Sequence, residues 1–170
     1  EFLPEWEKLA KKAEEVLKPP GFLVCYSGHI HLPRVISSLS KHLNYYWILS
    51  LLHSGGDQHV FPRNVRCGWK PILIFQKPPF QKLDSVLNDV IKGTGREKEL
   101  HPWQQAEGEV IPLIQKFSKE NEIVFDPFAG SGSFLVSALK LNRQIIGCDI
   151  NPDNIINRTY AKKRNKVFKS

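Results

Sequence analysis

The segment Ile123-Val-Phe-Asp-Pro-Phe-Ala-Gly-Ser-Gly-Ser133 places the tightest constraint on what this chain can fold into. Three apolar residues run into Asp126, a turn of small residues follows, and a helical pattern starts at Phe134. That order describes a buried parallel strand, a loop that cradles a ligand and a helix N-terminus. A second strand-like run, Gln144-Ile-Ile-Gly-Cys-Asp-Ile150, carries Asp149 near its C-terminal end.

The rest of the chain alternates in the same way. Trp6, Leu9, Ala10, Ala13, Val16 and Leu17 recur at helical spacing, so a helix is expected over 4–18, stopped by Lys18-Pro-Pro-Gly21. A strand is expected at 22–26, then a helix opening at Pro33 with Val35, Ile36, Leu39 and Leu43 on one face. Residues 45–52 and 71–75 read as buried strands, while Tyr45, Tyr46 and Trp47 read as core or sheet-face aromatics. Between them, 53–69 is broken by Gly55, Gly56, Asp57, Pro62, Asn64 and Gly68 and reads as a long loop. Leu83, Val86, Leu87, Val90 and Ile91 form a helical stripe, and residues 93–99 a polar linker. Further helices are expected from Val110, from Phe134 and from about Pro152. Strands alternating with helices predict one α/β domain, Rossmann-like, with a mostly parallel sheet and helices on both faces. Residues 1–92 would form its first half, 93–100 a linker and 101–170 its second half.

Composition narrows the function classes. At 170 residues with 41% apolar content the chain can bury a core. No apolar run approaches the ~20 residues of a membrane span. Cys25, Cys67 and Cys148 show no CxxC or metal-ligand spacing; Cys25 and Cys148 lie in apolar runs, which predicts buried free thiols in a reducing compartment, the cytoplasm. His29-Ile-His31 lacks a supporting carboxylate or cysteine, so no metal site is expected. The net charge of +7 is uneven: residues 158–170 hold Arg158, Lys162, Lys163, Arg164, Lys166 and Lys169 without an acid. Residues 34–83 hold Arg34, Lys41, Arg63, Arg66, Lys70, Lys77 and Lys82 against Asp57 alone. Such a balance favours a polyanionic partner.

The chemistry of the two acids points to a ligand. Gly130 and Gly132 let the backbone approach closely, and N–H groups near Ser131 and the helix start could face a negative group. Asp126 at a strand tip can take an ammonium, and Asp149 can accept two ribose hydroxyls. S-adenosylmethionine needs both partners, whereas a dinucleotide would prefer a G-x-G-x-x-G turn, which is missing here.

Asp126-Pro-Phe-Ala-Gly-Ser-Gly132 followed by Arg143-Gln-Ile-Ile-Gly-Cys-Asp149 resembles the cofactor motifs of the amino-methylating DNA methyltransferases, which modify adenine N6 or cytosine N4. His101-Pro-Trp-Gln-Gln105 resembles the segment that precedes the cofactor loop and touches the methionine end of the cofactor. Val16-Leu-Lys-Pro-Pro-Gly-Phe-Leu-Val24 resembles the family's helix-to-strand passage, with Pro20 in place of a glycine. Trp69-Lys-Pro-Ile-Leu-Ile-Phe-Gln-Lys77 resembles the strand after its variable DNA-facing loop. The order is that of permuted modification methylases, in which the catalytic half precedes the cofactor half.

The resemblance implies an S-adenosylmethionine-dependent DNA methyltransferase of restriction-modification type, with adenine N6 favoured over cytosine N4. It implies a cofactor site of Asp126, Pro127, Phe128, Ala129, Gly130, Ser131, Gly132, Asp149, Ile150 and His101. Loop 53–70, with His53, His59, Arg63, Arg66 and Lys70, would contact DNA. The family's catalytic tetrapeptide, Asp/Asn/Ser-Pro-Pro-Tyr/Phe/Trp, does not occur in these residues, so no catalytic residue is named. In the permuted order it would precede the helix at 4–18; the chain opens on Glu1 and holds no methionine, which reads as a truncated N-terminus. An inactive nucleic-acid-binding remnant, and a methyltransferase of RNA or protein, are the competing readings.

Overall fold

A computed structural model describes residues 3–55, 58–94 and 106–150. The chain divides after Lys92 into two compact units.

The first unit opens with α1 (Leu3–Val16), β1 (Phe22–Tyr26), α2 (Leu32–Leu39) and β2 (Asn44–Leu52). A small hairpin, β3 (Gln58–Val60) and β4 (Val65–Cys67), leads into β5 (Trp69–Gln76), and β6 (Val90–Lys92) closes the unit. Four of these strands form a sheet in the order β1-β5-β2-β6. β5 is antiparallel to both β1 and β2, and β6 is parallel to β2. β1, β2 and β6 therefore share one direction, and β5 is inserted against it. The α/β expectation holds; the sheet of this unit is mixed, with antiparallel β5 where a mostly parallel sheet was expected.

Burial explains the arrangement. Residues 71–76 of β5 are all buried, as an inner strand of apolar residues requires. Leu73 and Phe75 of β5 pack with Ala10 and Ala13 of α1, Val35 and Leu39 of α2, and Leu43. The small side chains on α1 let it lie close to its neighbours, while Lys8–Glu5 and Lys12–Glu15 pairs face water. Pro33 sits in the first turn of α2, where its missing N–H costs nothing.

The expected helix over 83–91 is not formed: Val90–Lys92 is the edge strand β6, and residues 83–89 carry no helix. Its apolar stripe is rich in β-branched residues, and β2 has an unpaired edge that only an extended segment can satisfy. Ser50 N–H donates to Asp89 C=O at 2.7 Å, Trp47 Nε1–H to the Asp89 carboxylate at 3.3 Å, and Leu83 N–H to Tyr46 Oη at 3.1 Å. These bonds hold the segment along the sheet. Tyr46 itself lies between Phe22 and Phe80, with ring centroids 5.4 and 5.5 Å away.

The second unit contains α3 (Glu107–Phe117), β7 (Ile123–Asp126), α4 (Ser133–Lys140) and β8 (Gln144–Gly147). β7 and β8 pair in parallel, from Ile123↔Gln144 to Asp126↔Gly147. Val110, Ile114 and Ala138 form the core with Val124, Phe134 and Ile145. Arg143, only 9% exposed, ties the unit together. Its guanidinium donates to Leu141 C=O at 2.5 Å, Ser118 C=O at 2.7 Å and Ser118 Oγ at 3.1 Å, joining the ends of α3 and α4. Lys140 and Glu107 form a further ion pair between these helices.

β8 is shorter than the expected 144–150 strand and leaves Cys148, Asp149 and Ile150 beyond its end. Cys148 is consequently exposed, against the expectation of a buried thiol; Cys25, packed against the first core, is pushed by burial to a pKa of about 12. The segment 95–105, including His101, and everything after Ile150 lie outside the described residues. Among the described residues no helix is long and apolar enough to cross a membrane.

Candidate functional site

The turn after β7 is built from backbone bonds that continue the parallel ladder. Cys148 N–H donates to Asp126 C=O, and Ala129 N–H to Cys148 C=O, both at 2.9 Å. Gly132 N–H closes the turn on Ala129 C=O at 2.7 Å. Gly130 and Gly132 have φ values of +47° and +72°, a region that side chains disfavour. Nothing lies within 4 Å of a Cβ placed on Gly132, so its αL backbone borders open space at the start of α4.

The two acids have separate roles. Asp149 Oδ2 accepts Gly130 N–H at 2.7 Å, which fixes its carboxylate beside the turn. Asp126 Oδ1 accepts Phe128 N–H at 3.1 Å. Burial raises the Asp126 carboxyl above its ordinary value; the Phe128 N–H opposes this, and the nearby Asp149 charge adds to it. A carboxylate in that condition gains from a cationic partner. Phe128 is 73% exposed, and Ile150 is fully exposed beyond β8. The amides of Gly130 and Gly132 are engaged inside the turn. What remains is two acids and two exposed apolar side chains, a set suited to a cation, hydroxyls and a flat ring.

In the first unit, the expected loop 53–70 is largely structured. β3 and β4 pair as Gln58↔Cys67, His59↔Arg66 and Val60↔Val65, joined by a single 3-10 turn, Phe61–Arg63, and an αL Asn64. Three-residue strands made of mixed polar and apolar residues carry too little period to be read from sequence. Arg63 and Arg66 are exposed on this hairpin. Lys70 instead belongs to β5, and its ammonium lies 4.8 Å from the Tyr26 ring centroid, a cation–π contact. The hairpin base is held by Cys67, whose thiol reaches Trp69 C=O at 3.0 Å and His29 Nδ1 at 3.4 Å, and by His53 N–H to Gly68 C=O at 2.9 Å. His29 also meets Trp69 edge-on at 4.6 Å; burial, then His53, holds its pKa below the usual imidazole value.

The DNA methylase model for N6/N4 enzymes matches residues 1–158, nearly the whole chain. The chain belongs to that family. Type II methyltransferase M.HindIII of Haemophilus influenzae is 32% identical over 138 residues, covering 62% of this chain and 44% of that protein. M.HpaI of Haemophilus parainfluenzae is 28% identical across an alignment of 194 positions, covering 96% of this chain and 58% of that one. The chain thus spans roughly half the length of these curated relatives.

Solved structures share the fold at low identity. The cytosine-N4-specific PvuII DNA methyltransferase superposes with a TM-score of 0.78 at 15% identity, over 98% of this chain and 72% of that one. M1.HpyAVI in complex with SAM gives 0.74 at 16%, over 93% and 81%. The methylase fold read from the motifs is therefore present. Phe61, 80% exposed at the hairpin tip, is the residue that sequence reasoning passed over. A phenylalanine placed between His59 and Arg63 in a basic loop was the available signal.

Proposed function

We propose that this chain binds S-adenosylmethionine at the turn after β7 and transfers its methyl group to an exocyclic amine of a DNA base, with adenine N6 ahead of cytosine N4. The observation that carries the reading is the placement of Asp126 at the tip of β7 and Asp149 just past β8, each accepting an amide of the glycine turn. Asp149 would accept the ribose hydroxyls, Asp126 would face the ammonium, and Phe128 and Ile150 would flank the adenine. Pro127, Ala129, Gly130, Ser131 and Gly132 would supply the wall, with His101 on the methionine side. When bound, the cofactor supplies an activated methyl group on sulfur.

The protein's part is positioning. The amine of a base is a weak nucleophile because its lone pair is conjugated with the ring, so alignment with the methyl carries much of the rate. The base must also leave the duplex, at a cost of a few kcal/mol. Arg63 and Arg66 would hold phosphates during that step, with Lys70 a weaker contributor because the Tyr26 ring already engages it. The first unit thus takes the DNA side of the reaction and the second the cofactor side. Free thiols at Cys25, Cys67 and Cys148 suit a reducing cytoplasm.

The test is to incubate the intact protein with plasmid and methyl-labelled cofactor, and then hydrolyse the DNA to nucleosides. Label in N6-methyl-2′-deoxyadenosine or N4-methyl-2′-deoxycytidine supports the reading and decides the base. DNA without label, while the cofactor is bound, supports an inactive nucleic-acid-binding remnant instead.

A further inference from the structure

We infer that Phe61 is an aromatic wedge, carried into a DNA groove by the β3–β4 hairpin, that stacks where a base has left the duplex. This rests on the methylase reading and adds a residue with a distinct task.

A singly exposed apolar side chain needs no explanation by itself. Three features set Phe61 apart. First, it is presented at the very tip of the hairpin with 80% of its surface exposed. Second, its position is built. Asn64 takes the left-handed conformation at φ +49° and closes the turn with its N–H on Phe61 C=O at 3.2 Å. The Asn64 side-chain oxygen lies 3.0 Å from His59 Nε2, and the His59 ring backs the Phe61 ring at 4.4 Å. The ring is therefore supported on one side and open on the other.

Third, the surroundings match a polyanion. Arg66 is the cross-strand partner of His59, so it shares the hairpin face on which His59 and Phe61 meet. Arg63 stands at the tip, two residues from Phe61. Residues 58–83 contain Arg63, Arg66, Lys70, Lys77 and Lys82 and no Asp or Glu. A two-stranded ribbon fits the major groove of B-DNA, and an aromatic ring stacked on an exposed base face compensates for lost stacking. The cations hold the backbone on either side while the ring covers the exposed base face.

The experiment compares two fluorescein-labelled duplexes of the same mixed sequence, one fully paired and one with a single central mismatch, which makes unstacking cheaper. Binding to the intact protein is followed by anisotropy. The wild type should bind the mismatched duplex at least about fivefold more tightly, the low end for one base–aromatic stack. Phe61→Ala should reduce that preference to less than about twofold while leaving affinity for the paired duplex nearly unchanged, and Phe61→Trp should restore it. Arg63→Ala should weaken both duplexes alike. An unaltered preference in Phe61→Ala, or normal binding of the paired duplex with no preference in the wild type, would overturn the wedge alone. Failure to bind either duplex would overturn the wedge and the DNA reading together.

Discussion

The turn after β7 and the β3–β4 hairpin solve opposite problems. The turn is made of backbone: strand-to-strand bonds, two positive-φ glycines and an acid clamped by an amide. The hairpin is made of side chains: two arginines and a phenylalanine held out from two three-residue strands. A small ligand of fixed shape rewards the first design, because pre-set geometry lowers the ordering cost of binding. A long polyanion rewards the second, because charge and stacking tolerate variation in sequence and position. Substitutions should therefore affect the two regions differently, the first through stability and geometry, the second through ionic strength and stacking.

The largest effect is expected at Arg143. Arg143→Ala removes a nearly buried guanidinium bonded to three oxygens and should destabilise the second unit by about 2–4 kcal/mol. Amide exchange should accelerate in β7 and β8 while β1, β2 and β5 keep their protection. Equal loss in both units would break the contrast. Gly147→Ala comes next. A Cβ there would lie 2.2 Å from Leu135 Cδ1, a buried side chain, so overpacking should cost about 1–3 kcal/mol by urea denaturation.

Acidification should act on the turn through Asp126. Its carboxyl is raised by burial, so the ionised form that attracts a cation is lost at a higher pH than for an ordinary carboxylate of 3.8. Cofactor affinity should be full above the raised pKa and fall as pH drops through it, by up to about tenfold per unit. The stability contribution runs the other way: it is present at acid pH and is lost as pH rises through the raised value. Asp126→Asn should flatten the binding profile in calorimetry. A wild-type profile unchanged by that substitution would remove Asp126 from the ammonium role.

The smallest effect on the fold is expected at the hairpin. Arg63→Ala and Arg66→Ala should each change stability by less than about 0.5 kcal/mol. Each should nevertheless lower the slope of log affinity for duplex DNA against log salt by about one. A salt slope indifferent to both would leave the hairpin without a DNA role.

The elements legible in the sequence were those whose residues decide locally. Apolar runs bounded by turn residues gave β1, β2, β5 and β7, and the Asp126–Gly132 turn declared itself through its glycines. Where partners decide, the pattern misled. The 83–91 stripe has helical spacing, but the bonds of Asp89 and Leu83 to β2 hold it extended. The hairpin depends on cross-strand pairs and on Cys67 meeting His29, neither of which spacing reveals. Cys148 sits in an apolar run yet is exposed, because β8 ends at Gly147, three residues short of Ile150. The antiparallel insertion of β5 is likewise a long-range choice, set by apolar residues that only an inner position can bury.

If the turn after β7 holds S-adenosylmethionine, binding depends most on Asp149, whose carboxylate is fixed beside the turn. Isothermal titration of S-adenosylmethionine into the wild type and into Asp149→Ala, with circular dichroism to verify that both are folded, should show at least about a tenfold loss of affinity, the effect of removing a charge-assisted hydrogen bond of ~1.5–3 kcal/mol. Equal affinity in the two folded proteins would contradict it.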